Sequence, residues 1–531
     1  MKTKTLLLSA LVALVFVACQ KENCGMLNLT IEGMGSDTKM AVNGNVSYWA
    51  EGDEVLINGN LVTINPPNES GNTATTSVEV ESANTYYGVY PAGIYSDSTG
   101  ASYTLDLPAT YTYATTTRQG HTYQNLQSPM VGYTTGSSMQ FKHVTGAINV
   151  QVVNYYGFTI AVDNIVVISD KYKLNGSVTV DMTNLNVATQ TGSSDAEKRV
   201  EMYFNGGTSL HVFAGDSAIV QVPVLPVGND NHFTVIVSVH KVDQNAVATT
   251  FEKTQNAGGE LSRAKVGYAR FTTPGLFSVS ESKKVIISQG NLQYIGSANT
   301  PYWKFADNQY GYLGTTTGQN SADTDKDRDF FGWGTSGWNN GAEQYQPYSC
   351  VNNDSKYYNA GDITNTHADW GIHNSILNGG NRTGLWYTLA SNEWDYLLSQ
   401  RTAANRFVKA SVAGVKGLII FSDDYEHPAD ITALSNVNDA TKNYGLTYIS
   451  TAWVKMEAAG AVFLPAVGYR YSGTTVSTTA GTAYYWSSTK VVGSNKAYNV
   501  YLYPAGITTQ NDNYSSGFSK GYFVRLVRDV N

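Results

Sequence analysis

Few residue types in this chain could carry chemistry. His367, Asp369 and His373 could approach a metal ion, but their spacing puts the two histidines together on neither a helix face nor a strand face, so loop or core roles are expected. Asp323, Asp325, Asp327 and Asp329 alternate like ligands of a hard cation, yet the glycine and distal glutamate of an EF-hand loop are missing. A solvated acidic loop leading into Phe330 is the expectation. The cysteines are Cys19, Cys24 and Cys350, without CxxC spacing, so neither a zinc site nor a disulfide framework is indicated, and a bridge between Cys24 and Cys350 is not expected. Arg525 and Arg528 are expected to pair with buried carboxylates rather than touch a ligand. No catalytic residue, metal or cofactor is expected, and the chain does not read as an enzyme.

The chemistry the sequence does favour is recognition. Between Trp486-Ser487-Ser488-Thr489 and the apolar run 521–529 lie Asn495, Tyr498, Asn499, Tyr501, Tyr503, Asn511, Asp512, Asn513, Tyr514, Ser515 and Ser516. Tyrosine offers a large amphipathic contact area with two torsions to freeze, while Asn, Ser and Asp supply adaptable hydrogen bonds, the division of labour found in antibody loops. These eleven residues are the candidate ligand-binding face. Alanine at Tyr501, Tyr503 and Tyr514 is expected to impair binding with unchanged thermal stability, because exposed side chains contribute little to folding.

Such a face needs a frame. In residues 497–503 a period of two puts Val500 and Leu502 on one side and Asn499, Tyr501 and Tyr503 on the other, so a strand would bury the first set and display the second. Residues 522–527 are apolar on both parities, as in a central strand covered on both faces. Trp486 is expected in the core. Ser391 can cap a helix through Arg401, with Trp394, Leu397 and Leu398 on one face, and Thr451 can cap another that carries Trp453 and Met456 and stops at Gly460. Two helices among short strands and Gly-rich loops imply an α+β domain over 276–531. Before it, residues 27–31, 55–59, 78–81, 147–153, 165–168 and 233–239 read as strands separated by turns, which implies two antiparallel β-sandwiches, 37–138 and 139–273. The fold class is therefore mainly β.

At 531 residues the chain exceeds one core. Charged residues are scarce at 14%, Tyr and Gly number 37 and 50, and the profile is that of a β-rich extracellular protein. Net charge is −8 with no Lys/Arg cluster, so nucleic acid has no electrostatic foothold. Lys2 and Lys4 precede an apolar run, 6–18, right for a secretory signal over 1–18. Phe16-Val17-Ala18-Cys19 resembles a bacterial lipobox, which implies lipidation of Cys19, a lipidated segment 19–36 and anchoring to the outer membrane. Gln20-Lys21-Glu22-Asn23 looks like the polar signal that sends some lipoproteins to the cell surface.

Two family resemblances follow. Thr38, Trp49-Ala50-Glu51-Gly52-Asp53-Glu54-Val55, Tyr90-Pro91-Ala92-Gly93 and Phe141-Lys142-His143-Val144-Thr145-Gly146-Ala147-Ile148 together resemble the fimbrillin-like surface lipoprotein pilins, which implies two-sandwich subunits joined by strand donation. Such pilins are cleaved after an Arg near the first strand; here the first Arg is Arg118, and only Lys39 stands near that place. The series Gly290-Asn291-Leu292-Gln293-Tyr294, Asp329-Phe330-Phe331-Gly332-Trp333-Gly334, Glu393-Trp394, Gly460-Ala461-Val462-Phe463-Leu464-Pro465, Gly468-Tyr469-Arg470, Tyr485-Trp486-Ser487-Ser488 and Val524-Arg525-Leu526-Val527-Arg528-Asp529 resembles a C-type-lectin-like domain. Its nearest branches are the formylglycine-generating-enzyme-like proteins and the variable proteins diversified by retroelements. The latter vary just before their C-terminus at Asn, Tyr, Ser and Asp codons, the residue types that crowd 489–517 here. The enzyme branch uses paired cysteines, and this domain has only Cys350. Gln346-Pro347-Tyr348 lacks the carboxylate of a calcium-dependent sugar site, and no Trp-Asn-Asp occurs.

The resulting expectation is a cell-surface lipoprotein adhesin, a fimbrial tip subunit whose C-terminal domain binds a protein or glycan on another cell or host surface and whose sandwiches meet other pilus subunits by strand donation. The alternatives are a stand-alone anchored receptor outside any pilus and, third, an enzyme of the formylglycine-generating-like branch.

Overall fold

The computed structural model describes residues 24–33, 49, 52–64, 75–118, 121–124, 126, 128–204, 210–242, 248–255, 257–314, 321–509 and 516–530. Strands dominate, and helices are few and short. The alternation that marks Phe233–Lys241 in sequence is matched by strict alternation of buried and half-buried side chains, the signature of a sheet with one face in a core.

The first core lies around a seven-stranded sheet ordered Asn60–Thr63, Glu54–Ile57, Tyr86–Tyr90, Met130–Thr134, Ser138–His143, Cys24–Ile31, Thr76–Glu81. Cys24–Ile31 runs parallel to Ser138–His143 and antiparallel to Thr76–Glu81, burying Leu27 and Leu29. A four-stranded sheet, Asn186–Val187, Gly176–Asp181, Ser102–Leu107, Tyr95–Thr99, packs against it through Val89, Leu105, Val131, Val178 and Val180. The second core is closed between Ser217–Val224, Gly146–Val153, Val266–Thr272 and a sheet of Thr249–Thr254, Phe233–Lys241, Ile160–Ser169, Arg199–Tyr203 and Thr110–Thr112.

These sheets exchange strands across the boundary expected at 138/139. Gly176–Asp181 joins the first half, Thr110–Thr112 joins the second, and Ser138–His143 itself belongs to the first sheet. The side-chain period reports which face a strand buries and is silent on which strand it pairs with.

In the C-terminal region Leu526–Asp529 sits centrally between Lys284–Ile287 and Tyr387–Thr388. Residues 522–528 are all buried, but they are not one strand: 521–523 make isolated bridges to Phe331, Arg470 and Tyr485, and regular pairing starts at Leu526. The first expected helix is Ser391–Asp395, continued by a π turn, Tyr396–Gln400; Ala390, not Ser391, is the cap, its N–H donating to Glu393 Oε2 at 2.9 Å. The second is Ser450–Ala458, capped at Ile449, two residues ahead of the expected cap Thr451, and Gly460 ends it with φ +94°. Trp303, Trp333, Trp370, Trp386 and Trp486 fill one core here, while Trp394 and Trp453 anchor its neighbours.

The C-terminal region is bolted to the second sandwich. Gln289 N–H donates to Gly157 O at 3.0 Å, Tyr156 Oη to Ala458 O at 2.5 Å, and Arg528 Nη2 to Asp216 Oδ1 at 2.7 Å. Lys241 and Glu457 form a buried ion pair at 3.4 Å across the same junction.

Candidate ligand-binding face

Two long strands, Thr482–Lys490 and Lys496–Tyr503, carry the candidate face. Their register sets Ala483 opposite Leu502 and Tyr485 opposite Val500 on the side of the apolar core, and Tyr484 opposite Tyr501 and Trp486 opposite Asn499 on the other. Cross-strand neighbours stand about 4.5–5.5 Å apart, the spacing at which flat rings stack.

Stacking is what results. Tyr484 lies on Tyr501 with centroids 4.3 Å apart and planes 9° apart, Tyr501 on Tyr503 at 4.7 Å and 19°, and Tyr484 on Tyr522 at 4.5 Å and 12°. Trp486 closes one end against Tyr522 at 4.4 Å, and Tyr469 meets Tyr484 edge-on at 4.7 Å. At the other end Gly506 lies under the Tyr503 ring so closely that a Cβ would stand 2.2 Å from it. Ring faces are thus consumed within the row, and what the half-buried Tyr484, Tyr501 and Tyr503 present outward is ring edges. Burial first, then the neighbouring tyrosines, raise the Tyr484 phenol above its ordinary value, and burial does the same to Tyr522. Both hydroxyls therefore stay protonated and able to donate at neutral pH.

The row is held from beneath. Lys409 reaches from Phe407–Val412 to donate to Ala440 O at 3.0 Å, Tyr503 O at 3.0 Å and Pro504 O at 2.6 Å, so one buried ammonium pins the hairpin end that carries Tyr503. Tyr522 Oη donates to Ser516 Oγ at 2.6 Å. Beside the row, Tyr471 is 58% exposed with Lys520 Nζ 4.3 Å from its ring centroid.

Among the expected site residues, Tyr501 and Tyr503 belong to this row. Asn499 does not face solvent: it is 3% exposed, paired opposite the buried Trp486, with Nδ2 donating to Ser516 Oγ at 3.2 Å. Alternation assigned its side of the strand correctly but not its depth, because that side is covered at the Trp486 end. Tyr498 alternates onto the opposite face, with Val500 and Leu502. Asn495 lies at the turn, its Oδ1 accepting from Asn359 Nδ2 at 2.8 Å. Ser516 is half-buried between Asn499 and Tyr522. Asn511, Asp512, Asn513, Tyr514, Ser515 and the lipidation candidate Cys19 lie outside the described residues. The expectation that alanine at Tyr501 or Tyr503 would leave stability untouched is corrected by the stacking, since each ring is a packing partner of the next. Sequence reading missed Tyr484, Tyr522 and Tyr469. Tyr484 was within reach, standing two residues before Trp486 on the same strand parity; Tyr522 and Tyr469 come from other segments.

The remaining candidates resolve as follows. Asp329 is buried and accepts from Leu313 N–H at 2.8 Å, while Asp323 and Asp325 are exposed, so the aspartates do not converge. Asp369 is buried, accepting from Thr388 N–H at 2.9 Å and Thr388 Oγ1 at 3.0 Å; burial lifts its carboxyl to about 7. Cys350 is a free thiol. Arg528 pairs with Asp216 as a carboxylate partner, whereas the Arg525 guanidinium, fully buried, donates to amide oxygens, Gln309 Oε1 at 2.8 Å and Asn291 Oδ1 at 3.3 Å. Gln309 passes this on to Glu457 at 2.9 Å.

No known family model matches the sequence, and no curated protein does. Among solved structures, a candidate cell adhesion protein from Bacteroides ovatus aligns with a TM-score of 0.27 at 10% identity, over 46% of this chain and 91% of that one. One from Bacteroides uniformis gives 0.27 at 12% identity, over 48% and 94%. A fimbrial protein from Bacteroides vulgatus gives 0.22 at 11% identity, over 46% and 95%.

Proposed function

We propose that the chain is a cell-surface adhesin, lipidated at Cys19, that engages a macromolecule on another cell or host surface through the stacked tyrosine row of its C-terminal region. The observation that carries this reading is the row itself. A protein core has no need to align the half-buried Tyr469, Tyr484, Tyr501 and Tyr503 over the buried Tyr522, and a stiff wall of phenol edges binds with little entropy left to lose.

Placement at a fimbrial tip is the further part of the proposal. Val266–Thr272 runs directly into the C-terminal region, and the contacts of Gly157, Asp216 and Lys241 fix that region over the second sandwich, so a subunit added beyond it would meet a bulky domain. The test is fractionation of cells that express the chain. Recovery in sheared, purified pili at about one copy per fibre supports the tip, and full retention in the membrane fraction supports the stand-alone receptor. Failure of soluble chain to compete with adhesion of the cells would refute the adhesin reading in either setting.

A further inference from the structure

The spacing of His367 and His373 argues against a shared face, yet the fold brings the two rings together. His373 ends the short turn Trp370–His373, its N–H donating to Asp369 O at 3.1 Å, while the carbonyl of His367 accepts from Ser336 Oγ at 2.5 Å. Their Nδ1 atoms face each other at 3.4 Å, with ring centroids 5.4 Å apart and planes 87° apart. His367 is exposed and His373 half-buried, so the gap between them opens to solvent. A tetrahedral ion with metal–nitrogen bonds of about 2.0–2.1 Å needs two of its nitrogen ligands about 3.3–3.4 Å apart. The observed separation is that bite.

We propose that His367 and His373 form a two-imidazole site for a late first-row divalent ion of the Zn(II), Ni(II) or Cu(II) class, with its other positions left to water or to a donor on a second molecule. Imidazole nitrogen suits these ions and excludes calcium and magnesium, which take oxygen ligands. Binding needs both Nδ1 lone pairs, so the proton shared between the two Nδ1 atoms moves to the Nε2 that lacks one, and each neutral ring then carries its single proton on Nε2. Asp369 is not a third ligand, since both its oxygens are turned inward to Thr388. Among the described residues no group of three or more metal-capable side chains occurs, so this pair stands apart from any closed structural site.

The test uses the full chain without an affinity tag. Zn(II) titration by calorimetry is compared between wild type, His367→Gln, His373→Gln and His211→Gln, the last an exposed histidine of the second sandwich. One equivalent is expected to bind wild type and the His211 variant alike. Either substitution in the pair should weaken binding by at least the roughly 10-fold that loss of an outer-shell partner alone costs. In wild type, substoichiometric Cu(II) should selectively broaden the ring proton resonances of His367 and His373, which needs no variant to fold. Equal Zn(II) affinity in all four chains, absence of binding at millimolar Zn(II), or Cu(II) broadening confined to other histidines would overturn the assignment.

Discussion

At Gly157 the second sandwich packs backbone against backbone of the C-terminal region, and replacing it with alanine tests whether the two move as one body. A Cβ at this position would stand 1.9 Å from Ile287 O, 2.8 Å from Ser288 C and 2.9 Å from Gln289 N, all backbone atoms that no rotamer change can clear. Ordinary contact begins near 3.4 Å, so the deficit is about 1.5 Å and the two backbones must separate by that order. An opening of that size breaks the 3.0 Å bond from Gln289 N–H to Gly157 O and, next to it, the 2.5 Å bond from Tyr156 Oη to Ala458 O. Two such bonds are worth about 1 kcal/mol each, and forced overpacking costs about 1–3 kcal/mol. The expected penalty is about 3–5 kcal/mol against the docked state. Calorimetry of Gly157→Ala should show the C-terminal transition separating from that of the second sandwich and falling by roughly 6–20 °C at about 2–4 °C per kcal/mol. Hydrogen exchange at the Gln289 amide should quicken in parallel. Wild-type melting with an equally protected Gln289 amide would refute the rigid junction.

Other perturbations probe the supports of the tyrosine row and the buried charges. Lys409→Met leaves three carbonyls without their donor; it should cost about 1–3 kcal/mol per unsatisfied group and speed exchange in the Tyr503–Gly506 hairpin end, as read by mass spectrometry. Glu457→Ala strands the buried Lys241 ammonium and should destabilise the chain by about 3–5 kcal/mol in urea melts, whereas removal of an exposed pair such as Lys304–Asp307 should cost under about 1 kcal/mol. The Asp369 carboxyl, lifted by burial to about 7, lies above its unfolded value of about 3.9. The folded chain therefore holds an extra proton between about pH 4 and 7, so stability should decline as pH rises through that window and level off above it. Asp369→Asn should flatten that slope in urea midpoints taken from pH 4 to 8, and an identical slope in both proteins would sink the assignment.

How much of this was readable in advance depends on what each residue type reports. Alternation identified Phe233–Lys241 and the buried Val500 and Leu502, because a period of two is set by the pleat itself. The unbroken apolar run at 522–527 identified its burial but not its break, since 521–523 are held by single bridges that leave no pattern in composition. Strand partnership was not legible: Gly176–Asp181 and Thr110–Thr112 cross between sandwiches through long connections, and sequence order misassigns both. Within the site, Tyr501 and Tyr503 could be read from one strand, whereas the row needs Tyr469, Tyr484 and Tyr522, which only the folded register brings alongside. Asn499 shows the converse, a polar residue on the right side whose depth is set by Trp486 across the ladder.

The most direct measurement of the central claim is adhesion of the full chain carrying Tyr501→Phe and Tyr503→Phe together, with Tyr268→Phe in the second sandwich as control. Phenylalanine keeps the rings stacked and removes only the hydroxyls, so melting should match wild type within a few degrees. If recognition runs along the outward edges of the row, binding to the target surface falls by about 10-fold or more for the double variant, as expected for two lost hydrogen bonds of about 1 kcal/mol or somewhat more each, and is unchanged for the control. Undiminished adhesion of a folded double variant would contradict it.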